Sequence, residues 1–80
     1  PRGAIRVAVA AALPRLPVQF GERLMDELLD DKDIGVRKFT LRSIPAAAPV
    51  HLRAKIEQMA KIDASEPIRV LARTVRSRLH

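Results

Sequence analysis

The segment PVQFGERLMDELLDDKDIGVRKF, residues 17–39, lies over PVHLRAKIEQMAKIDASEPIRVL, residues 49–71, without a gap when the chain is slid by 32 positions. The coincidences are alike in chemistry: Pro17 meets Pro49, Phe20 meets Leu52, Leu24 meets Ile56, Asp31 meets Asp63, Val36 meets Ile68 and Arg37 meets Arg69. A slide of 31 positions adds a partial leading copy, with Ile5 on Val36, Arg6 on Arg37, Ala8 on Phe39, Leu13 on Ile44 and Pro14 on Pro45. The 80 residues thus read as a half unit (1–16) followed by two whole units (17–48 and 49–80) in one repeat segment. A fixed period of this size is the mark of a stacked array, in which each unit hides its apolar face against the next.

Within the units the apolar residues recur at helical spacing. Phe20, Leu24 and Leu28 form one four-residue ladder and Leu52, Ile56 and Ala60 another. Val36, Phe39, Thr40 and Ile44, then Ile68, Leu71, Ala72, Val75 and Leu79, mark two more stripes. Breakers separate them: Pro14 and Pro17, Asp31 to Asp33, Pro45 and Pro49, and Asp63 to Ser65. Asp33 and Ser65 occupy matching places just ahead of a helix, where a short side-chain oxygen can take an orphaned backbone N–H. Pro67 falls in a first turn, where its missing donor costs nothing. The pattern predicts five helices over 3–13, 18–30, 34–44, 50–62 and 66–79. Links this short make neighbouring helices antiparallel hairpins.

The segments LLDDKDIGVRKFTLRSI and MAKIDASEPIRVLARTVRSRL resemble HEAT repeats, through an Asp ahead of the second helix followed by a Val-Arg or Ile-Arg pair. These are Asp31 with Val36 and Arg37, and Asp63 with Ile68 and Arg69. The short period is closest to the HEAT-like units of phycobilisome lyase subunits and many bacterial repeat proteins. The Trp, Tyr and Gly pattern of tetratricopeptide repeats and the Thr-Pro-Leu-His turn of ankyrin repeats are missing. The resemblance implies an all-α fold, a right-handed α-solenoid of stacked antiparallel hairpins. It also implies that Asp31, Arg37, Asp63 and Arg69 build a structural ladder of charge-assisted hydrogen bonds between units. These four are therefore read as architecture rather than as a ligand site.

Composition narrows the chemistry. With no cysteine there is neither a disulfide nor a thiolate metal cage, and His51 and His80 are too far apart in sequence to suggest a ligand pair. Only Phe20 and Phe39 are aromatic, so the core must be aliphatic and rich in alanine, and bases have almost nothing to stack on. No apolar run reaches membrane-spanning length and no secretory leader pattern opens the chain, so a soluble, cytoplasmic protein is expected. In the repeat register Arg2 stands where Asp33 and Ser65 stand later. The first helix then lacks its cap and its hairpin mate, as in a cut through a longer array; a mature start after removal of a methionine before Pro1 is the alternative. Its face of Ile5, Ala8, Val9, Ala12 and Leu13 is expected to pack on the next hairpin. Self-association through the uncapped helix, by Ile5, Val9 and Leu13, is a further expectation.

Charge is the one functional clue. Fifteen Lys and Arg against nine Asp and Glu give +6, and the excess follows the second helices. Residues 1–16 carry Arg2, Arg6 and Arg15 with no acid, 32–48 carry Lys32, Arg37, Lys38 and Arg42 against Asp33, and 64–80 carry Arg69, Arg73, Arg76 and Arg78 against Glu66. In HEAT-like solenoids the second helices line the concave surface, so the resemblance implies a basic groove. Arg6, Lys38, Arg42, Arg73 and Arg76 are its candidate contacts, and such a field concentrates an acidic partner. The partner is either a protein with an acidic surface or a neighbouring repeat, or the phosphate backbone of a nucleic acid. Against both stands the plain reading of arginine and lysine as solvated helix formers.

No catalytic, metal or cofactor site is expected. Gly3, Gly21 and Gly35 are isolated and make no phosphate loop. The carboxylates Asp26, Glu27, Asp30, Asp31 and Asp33 lack calcium-loop spacing and read as a solvated acidic helix end. His51 reads as surface, and Met25 and Met59 as core fillers. Some HEAT-like proteins are DNA glycosylases, but their sites use aromatic side chains and a catalytic acid, and this chain has no Trp or Tyr to stack a base. The sequence therefore points to a non-catalytic module for protein interaction or scaffolding, part of a larger array, with nucleic-acid binding as the alternative.

Overall fold

A computed structural model describes residues 2–80. The start at Pro1, on which the expectation of a mature N-terminus turns, lies outside the described residues. The described chain is all-helical, with five α-helices and no strand: α1 (Arg2–Ala12), α2 (Val18–Leu28), α3 (Ile34–Arg42), α4 (Val50–Ile62) and α5 (Glu66–Arg78). A 3₁₀ turn, Leu13–Arg15, follows α1. Pro14 sits inside it and cannot donate the amide that would carry the α-helix on to residue 13 as predicted.

The other ends differ from the predicted bounds for local reasons. α2 stops at Leu28 rather than 30, because the amides of Asp30 and Asp31 donate to the carbonyls of Glu27 and Leu28 and tighten the last turn. α3 stops at Arg42 rather than 44, since Pro45 pushes Ile44 away from the helical region. Asp33 caps α3 as expected, its carboxylate accepting the Val36 amide at 3.1 Å. Ser65 precedes α5 but makes no side-chain cap. Pro67, in the first turn of α5, has removed one of the amides that a cap would serve.

Packing sets two rows. α1 lies beside α3 and α3 beside α5, while α2 and α4 touch each other behind them; α4 and α5 share the most extensive contact. The core is aliphatic throughout: Leu13, Leu29, Leu41, Leu52, Ile56, Ile68 and Val36 are fully buried. The one buried polar residue among those described, Thr40, donates its hydroxyl to the Val36 carbonyl at 2.7 Å, so its burial leaves no orphan.

Three stripe assignments change. Phe20, expected on the core ladder, is 58% exposed, whereas its repeat mate Leu52 is fully buried. The inward line of α2 runs one residue on, through Gly21, Met25, Leu28 and Leu29. On α1, Ile5 and Val9 face outward, and the inward line is Gly3, Val7, Ala10 and Leu13. Small residues decide this orientation. A Cβ on Gly3 would come within 3.1 Å of Asp33 Oδ2, and one on Gly35 would lie 3.4 Å from Val7 Cγ2, so α1 and α3 meet where side chains are least. Leu13, grouped with Ile5 and Val9 as an exposed self-association face, is instead core, because the 3₁₀ turn folds it inward toward α2.

Candidate functional site

The chain's charges are first used internally. Arg6 Nε donates to Asp31 Oδ2 at 2.7 Å, and Asp31 Oδ1 accepts the Asp33 amide at 2.8 Å. One hairpin further, Arg37 Nη2 donates to Asp63 Oδ1 at 3.2 Å, and Asp63 Oδ1 accepts the Ser65 amide at 2.9 Å. Arg37 Nε lies 3.0 Å from Asp63 Oδ2 but off the hydrogen-bond line, so that nitrogen contributes through charge alone. Each Asp also gives its backbone carbonyl to the arginine that follows it: Asp31 to Arg37 Nη1 at 2.9 Å, and Asp63 to Arg69 Nη1 at 2.5 Å. Arginine therefore clamps its own turn with one nitrogen and the next turn's carboxylate with the others. The separations, 25 residues for Arg6 to Asp31 and 26 for Arg37 to Asp63, carry the sequence period into space.

Asp31 is held below its ordinary pKa of 3.8 chiefly by the Asp33 amide; burial opposes this, and the Arg6 guanidinium reinforces it. The acidic face of α2 has a partner that its spacing did not reveal. Lys55 Nζ lies 2.6 Å from Asp30 Oδ2 and 3.0 Å from Asp26 Oδ1, and donates to the Asp26 carbonyl at 2.8 Å. Burial pulls Lys55 down, but the hydrogen bonds it donates to the Asp30 and Asp26 carboxylates, with their charge, outweigh it and hold the ammonium above its ordinary 10.5. What read as a solvated helix end is a clamp between α2 and α4.

The five candidate basic residues are not equally free. Arg6 belongs to the ladder. Arg76 Nη1 is 2.9 Å from Glu57 Oε1, an exposed pair between α5 and α4. Lys38 Nζ stands 5.7 Å from the centre of the Phe39 ring. Arg42 and Arg73 are exposed, and neither takes part in an ion pair of the described residues. The helices that carry them, α1, α3 and α5, do lie side by side. Arg6 could have been recognised earlier, because it aligns with Arg37 and so inherits its ladder role.

Two concavities bear on function. The larger, about 420 Å³, lies between the C-terminal ends of α2 and α4 and contains Asp30, Asp31, Arg37, Lys55 and Asp63, all already engaged with one another or with the ladder. The second, about 290 Å³, opens between the C-terminal ends of α3 and α5. Leu41, Ile44, Leu71 and Val75 line it, and Arg42 and Arg78 stand in its wall. Arg78 was counted in the basic excess but not among the candidate contacts, because only the packing of α5 on α3 brings it to the groove that Arg42 also lines. Among the described residues no cluster of His, Cys, Asp and Glu is placed to hold a metal ion, and no helix is long and apolar enough to cross a membrane. Comparison with protein-family models, curated proteins and solved structures finds no match for this chain.

Proposed function

We propose that this chain is a non-catalytic helical module that scaffolds or recognises other proteins, organised as a short right-handed α-solenoid of HEAT-like hairpins, with an α4–α5 edge that stacks on a further hairpin. One observation carries the reading. Arg69 grips the Asp63 carbonyl as Arg37 grips that of Asp31, yet the ion pairs of the described residues give Arg69 no carboxylate. An arginine already fixed in ladder geometry has little side-chain entropy left to lose, so a carboxylate offered there is bound at low cost. Val70, half exposed beside Arg69 on the same helix, would be covered by the same docking.

A chain extended after His80 by a second copy of residues 17–48 tests this. The extension places a copy of Asp31 at the same 26-residue separation from Arg69 that Asp63 has from Arg37. The extended protein is expected to unfold in one cooperative transition with a higher midpoint than the parent. Changing the copied Asp to Ala should remove most of the gain. Two separate transitions, with the parent's midpoint unchanged, would overturn the stacking reading.

Protein recognition is preferred to phosphate binding because two of the five candidate contacts, Arg6 and Arg76, already hold carboxylates of this chain. The reading also fits the position of the ladder, which spends arginine on fixing hairpins rather than on exposing charge.

A further inference from the structure

We infer that the groove between the C-terminal ends of α3 and α5 is a docking site for a partner's acidic–apolar peptide segment, one that presents a bulky aliphatic side chain flanked by carboxylates. The inference rests on the module being a protein-binding one, but it concerns a different surface from the Arg69 edge. Arg69 belongs to the first turn of α5 and Arg78 to its last.

The floor is apolar and the wall is cationic. Leu41 and Val75 form the deep part, with Ile44 and Leu71 partly open above them. Arg42 and Arg78 are exposed and stand in no ion pair of the described residues, and no Asp or Glu lines the groove. The two arginines are not there to satisfy helix ends. On α3, the Phe39 carbonyl accepts from the Ser43 hydroxyl at 2.9 Å, that of Thr40 from the Ser43 amide at 3.0 Å, and that of Leu41 from the Ile44 amide at 3.3 Å. On α5, the Leu79 amide serves the Arg76 carbonyl at 3.2 Å, and the Ser77 hydroxyl serves that of Thr74 at 2.7 Å. A helix C-terminus offers only about half a negative charge, spread over its carbonyls, so two full cations across one groove remain in excess.

The groove is also braced. The His80 amide donates to the Ala46 carbonyl at 3.0 Å, tying the end of α5 to the segment after α3 and fixing the spacing of the two walls. A ligand therefore meets a preformed slot. Its volume, about 290 Å³, falls just below the roughly 300–1,000 Å³ typical of small-molecule clefts, which suits one or two inserted side chains better than a cofactor. Nucleic acid fits poorly. Phosphates would leave the aliphatic floor unused, and neither Phe20 nor Phe39 lines the groove to stack a base. An apolar anchor ringed by carboxylates satisfies both parts of the site, the anchor supplying affinity and the charges orientation.

The test is a titration of the isotopically labelled full chain, followed by amide NMR, with acetyl-Glu-Glu-Leu-Leu-Glu-Glu-amide. Shifts are expected to cluster at residues 41–46 and 71–79. The versions with Gln for Glu, or Ala for Leu, should each bind at least about tenfold more weakly, the size of one lost favourable contact of about 1.4 kcal/mol. Arg42→Glu with Arg78→Glu, both exposed positions, should cost tenfold or more with the helical signal intact, while Arg73→Glu and Arg69→Ala should leave affinity within twofold. Absence of binding, equal binding of the Ala version, or indifference to the double reversal would each overturn the proposal. If the peptide binds as expected while the extended chain fails to stack, the groove stands and only the Arg69 edge falls.

Discussion

Arg37 and Arg69 occupy equivalent positions in sequence but not in consequence. Arg37 joins two turns, and its side chain and that of Asp63 are only 13% and 8% exposed, so its removal strands a mostly buried carboxylate. Breaking one member of such a pair costs about 3 kcal/mol, whereas Arg69→Ala loses one hydrogen bond to a carbonyl, about 1 kcal/mol. Urea midpoints of the two alanine variants should differ in that order with similar slopes, and equal losses would mean that the cross-hairpin contact contributes nothing. Asp31 offers a second test at the same scale. Its folded pKa lies below the ordinary 3.8, so the unfolded chain binds the proton first as pH falls. The stability it contributes is fully present above 3.8 and drains away as pH drops through its lower folded value. Asp31→Asn keeps an oxygen for the Asp33 amide and should flatten the acid limb of a stability–pH curve. An unchanged limb would show that the carboxylate of Asp31 is not among the groups driving acid unfolding.

The number and placement of the helices were legible because proline and aspartate punctuate the repeat at intervals that no other reading accommodates. Helix starts were read better than helix ends. A cap such as Asp33 is written in one residue, whereas the stopping points of α2 and α3 depend on 3₁₀ tightening and on the residue before Pro45. The rotation of each helix was the weaker inference. Phe20 was placed on the core ladder because the repeat register aligns it with Leu52, and α1 was given an inward face of Ile5 and Val9 by hydrophobicity, yet all three are exposed. On α1 the actual face follows the close approach at Gly3 and Gly35, which hydrophobicity does not rank. The candidate site suffered similarly. Arg42 was visible as a basic residue near a helix end, but its opposition to Arg78 is a product of α3 packing on α5. Conversely, Arg6 was counted as free charge although its alignment with Arg37 already marked it as a ladder residue. The clamp at Lys55 was not legible, since nothing local in sequence connects it to Asp26 and Asp30, 29 and 25 residues away.

At the scale of the whole molecule, two of the five candidate contacts already hold carboxylates of this chain, and this separates the two classes of partner by a number. If Arg6, Lys38, Arg42, Arg73 and Arg76 all met phosphates, the logarithm of the binding constant for duplex DNA would fall with the logarithm of salt at a slope of about −4.5. Arg6 and Arg76 are held by Asp31 and Glu57, and recruiting Arg6 would break a ladder rung that fixes α1 to the turn before α3. Lys38, Arg42 and Arg73, the three of the five left unpaired, contribute a slope of only about −2.7, and affinity near physiological salt falls in the range of non-specific binding, about 10⁻⁴ to 10⁻⁶ M. Fluorescence anisotropy of a labelled duplex and of its single strand, between about 50 and 200 mM salt, measures this directly. A slope near −4.5 with tight binding would require the ladder to open and would favour the nucleic-acid reading. The expected shallow slope leaves the unpaired arginines to a partner that can also use the aliphatic groove, since an acidic–apolar segment gains from the desolvated floor and loses less of its affinity to added salt.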